Sequence, residues 1–280
     1  MSVSQGKASL RGRWLLGAAL IGVLVAVVVG YRVAGGRSCE QVESEIAKQL
    51  DDDKGAAALA LADGAPDRCK ALPAMRGRRA EALVRMGKNQ EAWAEGAAVL
   101  AAGSLDPYAT YAVAQAQHAT GDFAKARANA QAAVQRGRGP AAQLLLGILA
   151  YKVGDYDTAR RAYGALIAAN PNDVAAIYNL ALLDQQSNRY RDAREGYLRV
   201  LRLDPNHVDA RYNLVLLTNA AGATMEAQHH LRKLEELAPN DPRVVRLEDM
   251  LAVAPAASAL VVGSSSPPDA AGSAAAAVSR

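Results

Sequence analysis

Two cysteines and four histidines are the side chains of this sequence best suited to metal binding, nucleophilic attack or redox chemistry. The histidines, His118, His207, His229 and His230, include no His-Glu-x-x-His pair of the kind that holds zinc on one helix face, and the cysteines lie far from them in the chain. No glycine-rich phosphate loop with a lysine follows a strand pattern, and there is no nucleophile elbow. The sequence therefore predicts no metal, no cofactor and no catalytic residue. The one remaining route to an enzyme is a site assembled from residues distant in sequence. Cys39 and Cys69 point to architecture instead. Cys39 opens a helical stretch from Glu40 to Leu50, a second helix covers Lys54 to Ala62, and Cys69 opens the next. Two intervening helices of opposed direction can bring those starts together. A bridge between them needs an oxidising compartment and contributes about 2 to 4 kcal/mol by restricting the unfolded chain. The competing reading is two unpaired buried thiols.

The elements that would position these residues are helices. Alanine dominates an apolar content of 51%, with a single Phe and two Trp, and alanine is the best helix former. A core of small side chains needs closely approaching helices. The net charge of +4 is uneven: five of the 32 basic residues and none of the 28 acidic ones lie in residues 1–38, which leaves 27 against 28 in the remainder. The body of the chain has no excess positive charge to neutralise a row of phosphates, so nucleic acid is not an expected partner.

Residues 14–31 run without a charge from Trp14 to Tyr31. At about 1.5 Å per residue such a helix approaches the apolar thickness of a bilayer, with Arg13 and Arg32 placed to snorkel and Trp14 and Tyr31 at the interfaces. The segment reads as a transmembrane signal anchor behind a short cytoplasmic tail, residues 1–13. The competing readings are a signal peptide cleaved near Val33-Ala34-Gly35 and a buried core helix.

Beyond the anchor the chain repeats itself. Asn170-Pro171-Asn172, Asp204-Pro205-Asn206 and Pro239-Asn240 recur at 34 residues; Ala126, Ala159, Ala193 and Ala227 recur at 33, 34 and 34, with Ala92 one phase earlier. Gly87, Gly121, Gly154 and Gly222, with Asn188 in the remaining place, mark a tight turn inside each unit. Glycine and asparagine suit a turn that ends a helix with positive φ, and the recurring proline separates units. Each unit reads as two helices of similar length joined by that turn. Small residues such as Gly147 and Ala181 let the paired helices approach, while Leu146, Leu180, Leu214, Tyr163 and Tyr197 fill the remaining space.

Unit 140–173 carries Leu146-Gly147, Tyr151, Gly154-Asp155-Tyr156, Ala159, Tyr163 and Pro171; unit 174–207 carries Tyr178-Asn179-Leu180-Ala181, Tyr190, Ala193, Tyr197 and Pro205; unit 208–241 carries Tyr212-Asn213-Leu214, Gly222, Ala227 and Pro239. Unit 107–139 keeps Gly121-Asp122-Phe123 and Ala126 but ends in the Gly137-Arg138-Gly139 break, and unit 73–106 keeps Leu83, Gly87 and Ala92 with Arg79 where leucine is expected. This pattern resembles the tetratricopeptide repeat (TPR) family. The resemblance implies an all-α, right-handed solenoid of antiparallel helix pairs over residues 73–241, preceded by the transmembrane helix. A degenerate pair occupies 39–72, a capping helix 242–253, and a disordered Ala/Ser/Pro tail 255–280. Val244, Val245, Leu247 and Leu251 are expected to cover the last pair. Asp184, where the family prefers an aromatic, is expected to reach water through a tilt of its repeat; the competing reading is an interior or groove carboxylate.

In the family the first helix of each unit lines an inner face that holds peptides or partner helices. Carried over, the row is Tyr108, Tyr111, Gln115 and His118; Leu144, Ile148, Tyr151 and Lys152; Tyr178, Leu182, Gln185 and Gln186; and Tyr212, Leu216 and Asn219. Tyrosine offers large contact area at low conformational cost, and amides meet an extended backbone. The layout also resembles bacterial single-pass membrane proteins with an exported TPR domain. It implies an inner-membrane protein with its solenoid in the periplasm, binding polypeptide partners as an adaptor or assembly factor. The alternative is a permanent structural subunit of an envelope complex.

Overall fold

The computed structural model describes residues 37–251, which fall into two compact units divided between Leu183 and Asp184. The described residues are helical with no strand. The charge-free segment 14–31 and the tail 255–280 lie outside them; among the described residues no helix is long and apolar enough to cross a membrane.

In the first unit, α1 (Cys39–Asp51) and α2 (Gly55–Asp63) lead through a short α3 (Asp67–Lys70) into α4 (Pro73–Arg85) and α5 (Asn89–Ala101). Then follow α6 (Pro107–Ala119), α7 (Phe123–Gln135), α8 (Pro140–Lys152), α9 (Tyr156–Ala169) and most of α10 (Val174–Gln186). The helix starts follow from local chemistry. Ser38 and Gln41 form a reciprocal capping box at α1, with bonds of 3.2 and 3.0 Å. Pro73, Pro107 and Pro140 each occupy the first turn, where a missing N–H costs nothing.

The Gly-Asp-aromatic motif has a division of labour. Gly121 and Gly154 close the preceding helix with φ of 82° and 80°. Asp122 and Asp155 then accept from the N–H groups of Lys125 and Thr158 at 3.3 and 3.1 Å, and the aromatic begins the next helix. Asn188, with φ of 58°, takes the turn position that glycine holds elsewhere.

Cys39 and Cys69 are joined by a disulfide, which ties the start of α1 to α3. Beside it Val42, Ile46, Leu50, Ala58, Ala62 and Met75 form one buried cluster. Farther along, Tyr163 is 1% exposed, its ring lying against the bare Cα of Gly147. Arg79, the residue out of pattern, donates to Asp63 at 2.7 Å and also to Glu95, so an ionic contact stands where the repeat usually buries leucine.

The second unit holds the end of α10, α11 (Tyr190–Leu203), α12 (Val208–Ala220), α13 (Thr224–Leu237) and a last helix, α14, described over 242–251. Val215, Ala227, Leu231 and Leu234 pack with Val244, Leu247 and Leu251 of α14. Val245 departs from expectation: it is 52% exposed, because Val244, Leu247 and Leu251, spaced three and four residues apart, take the packed face of the helix. Asp184 also departs from expectation. It is only 6% exposed, and Arg189 Nη2 lies 2.9 Å from its Oδ1, so a guanidinium replaces the water it was expected to reach.

Candidate partner-binding face

The first-helix row of the first unit divides into a closed end and an open end. At the closed end Arg138 dominates. It sits between Gly137 and Gly139, with φ of 86° and 79°, a double left-handed turn that only glycine adopts readily. The turn delivers the guanidinium to Glu81, with Nε at 2.7 Å from Oε2 and Nη2 at 2.5 Å from Oε1. Asp51 of α1 lies 3.5 Å from Nη1. These contacts span 57 and 87 residues, so the α7–α8 turn reaches over α4 to α1.

Tyr108 is stacked by two cations, Arg78 at 4.3 Å and Arg138 at 4.7 Å, and Tyr111 lies 5.2 Å from Arg138. Arg78 pairs with Glu43 at 3.3 Å, and Arg85 pairs with Glu81 and Asp53. Burial by itself would lower the Arg138 pKa, but the bonds and charge of Glu81 hold it above its ordinary value. Tyr111 is interior, 4% exposed, and its hydroxyl accepts from Gln115 Nε2 at 2.6 Å. Burial and then the Glu81 charge push its pKa up. Of the residues carried over here, Tyr111 offers no surface, Gln115 is half-buried, and Tyr108 is half-buried beneath arginines.

At the open end, the ends of α6 and α8, two aromatic contact groups form a strip, joined through the chain neighbours Tyr151 and Lys152. His118 meets the ring of Phe123 at 5.8 Å, Lys152 Nζ lies 5.1 Å from the same ring, and Tyr151 meets Tyr156 at 5.9 Å. Lys152 is exposed and makes no ion pair among the described residues. Burial, then the Lys152 charge, lowers the His118 pKa, which keeps the imidazole neutral near pH 7. Leu144 is half-buried against the Tyr163 cluster, and Tyr178 is half-buried on α10.

The row residues of the second unit stand in separate surroundings. Gln185 accepts the hydroxyl of Tyr197 at 2.7 Å. Tyr212 lies 5.1 Å beneath Arg243, itself held by Asp241 and Asp209, and Asn219 is half-exposed near the end of α12.

The strip depends on two residues that the row omitted. Phe123 and Tyr156 begin second helices and were read only as repeat markers; their period matches the row, which was the available signal. Arg138 was read only as part of a glycine break. No rule of local spacing points it at Glu81.

Comparison with known proteins agrees with this architecture. A profile of the tetratricopeptide repeat matches residues 144–183 and 178–242, and the chain carries TPR repeats. No curated protein matches it in sequence. Among solved structures it is similar to YrrB, described as a TPR protein with an unusual peptide-binding site. The TM-score is 0.54 and the identity 18%, over 62% of this chain and 91% of that one. It is likewise similar to MamA from Desulfovibrio magneticus RS-1, with a TM-score of 0.54 and 20% identity, over 61% and 97% of the two chains. A third similarity is to one chain of the APC/C hetero-tetramer Cut9-Hcn1, with a TM-score of 0.65 and 14% identity, over 81% of this chain and 45% of that one. At these identities the likeness concerns the fold.

Proposed function

We propose that this is a membrane-anchored TPR protein that binds polypeptide partners in the cell envelope as an adaptor or assembly factor. The observation that carries the binding reading is the strip of His118, Phe123, Lys152, Tyr151 and Tyr156. It is an aromatic surface with an unneutralised cation, in which three residues of the helix row that the family uses for peptides meet two aromatics that begin second helices. Aromatic anchors beside a cation are what interface hot spots favour. Two further features support the location: the charge-free segment 14–31 and the Cys39–Cys69 bridge, since disulfides persist in oxidising compartments. The unusual peptide-binding site attributed to YrrB is in keeping with this reading.

The test is site-specific photocrosslinking in native membranes, with benzoylphenylalanine at position 118 or 152 and, as a control, at position 70. The expected result is discrete crosslinked partners from the first two positions only, lost when Tyr151 and Phe123 are both replaced by Ala while helicity is kept. Equal crosslinking from position 70 would remove the strip as the contact. Separately, the anchor predicts that the protein stays with membranes after alkaline extraction; a shortened soluble chain would overturn that half.

A further inference from the structure

The second unit holds a cavity of about 610 Å³ between the start of α11, the end of α12 and the start of α13. Its wall is apolar where Leu216, Ala220 and Ala221 face it, and its rim carries Tyr190, Arg191 and Arg194 opposite Glu226. The first unit has a cavity of about 560 Å³ at the equivalent repeat positions, between the starts of α5 and α7 and the end of α6. There Gln90, Trp93 and Lys125 stand where Arg191, Arg194 and Glu226 stand in the second. Repeat geometry therefore makes the cleft, and the side chains decide what it receives.

In the second unit those side chains have a definite charge. Arg194 donates to Glu226 at 2.7 Å, which satisfies one cation with the only acid on the cavity wall. Arg191 is exposed, lines the cavity and makes no ion pair among the described residues. Tyr190 is 53% exposed, and its hydroxyl donates to Asn188 Oδ1 at 2.7 Å, which fixes the ring at the rim. An apolar floor, a held aromatic and one uncompensated guanidinium suit a single kind of guest.

We propose that this cleft is a second docking surface, and that its occupant is a short acidic segment of a partner polypeptide carrying one aliphatic side chain. The aliphatic group fills the space against Leu216, Ala220 and Tyr190. One carboxylate pairs with Arg191, and a second competes with Glu226 for Arg194. The proposal does not depend on the strip of the first unit.

Fluorescence anisotropy on the full chain tests it, with labelled Gly-Ser-Asp-Leu-Glu-Asp-Ser-Gly as the probe and its Asn/Gln counterpart as the neutral control. The acidic peptide should bind, the neutral one at least about tenfold more weakly, and Arg191→Glu should cost at least about tenfold. Ala220→Trp, which fills an exposed position of the cavity, should abolish binding with helicity unchanged. Tyr151→Ala with Lys152→Ala should leave it intact. Equal binding of the two peptides, indifference to Arg191→Glu, loss on the Tyr151/Lys152 change, or no binding below about 1 mM would each overturn the proposal.

Discussion

Arg138 and Glu81, 57 residues apart, share two hydrogen bonds while both side chains are almost wholly withdrawn from water, at 4% and 0% exposure. Removing the arginine leaves a buried carboxylate with only Arg85 in reach. Arg138→Met should therefore lower the unfolding free energy by about 3 to 5 kcal/mol in urea titration. Glu81→Leu combined with Arg138→Met should recover most of that loss, because an apolar pair needs no solvation. A double variant as unstable as the single one would show that packing, not charge, is at stake.

Gly147 gives a second prediction. A Cβ there would lie 2.4 Å from Tyr163 Cε1, and Tyr163 has no free space to retreat into. Gly147→Ala should cost about 1 to 3 kcal/mol despite the higher helix propensity of alanine. If the variant proves more stable in thermal unfolding, the helices of this pair are not in the close contact described.

The repeat period, the turn residues and the close approach at Gly147 were all legible in the sequence, because each is a local rule repeated several times. The inner row was legible only as positions. Whether a row residue faces a partner depends on what lies over it. Tyr111 and Tyr151 have the same residue type and similar placement, yet one is 4% exposed with Arg138 near its ring and the other is half-buried against the Tyr163 cluster. Asp184 and Val245 went astray for the same reason: each environment is set by one neighbouring side chain or one helix face that no period encodes.

The bridge between Cys39 and Cys69 closes a loop with a sequence separation of 30. Replacing both by Ser, or reducing the protein, should lower stability by about 2 to 4 kcal/mol, measured by urea unfolding with and without reductant. Reductant should have no effect on the double Ser variant.

His230 is 8% exposed on α13, with its Nε2 3.8 Å from Glu226. Burial first, then the charges of Arg211 and His229, hold its pKa below the ordinary histidine value of 6.5. The unfolded chain thus takes up a proton near pH 6.5 that the folded chain refuses. The stabilisation is complete above that pH and is lost as pH falls through 6.5 toward the folded value. Urea unfolding between about pH 7 and pH 5 should show this decline, and His230→Gln should flatten it in that window. An unchanged slope in the variant would assign the decline to other groups.

Arrays of repeats usually behave as beads that each feel only their neighbours, so they can melt one bead at a time. The reach of Arg138 back to Asp51 breaks that rule in the first unit, since a residue that closes the third helix pair is satisfied in part by one from the first. Losing the first pair would therefore withdraw a partner from the third. Residues 39–183 should accordingly exchange their slowest amide hydrogens together, as one cooperative block rather than a fraying series.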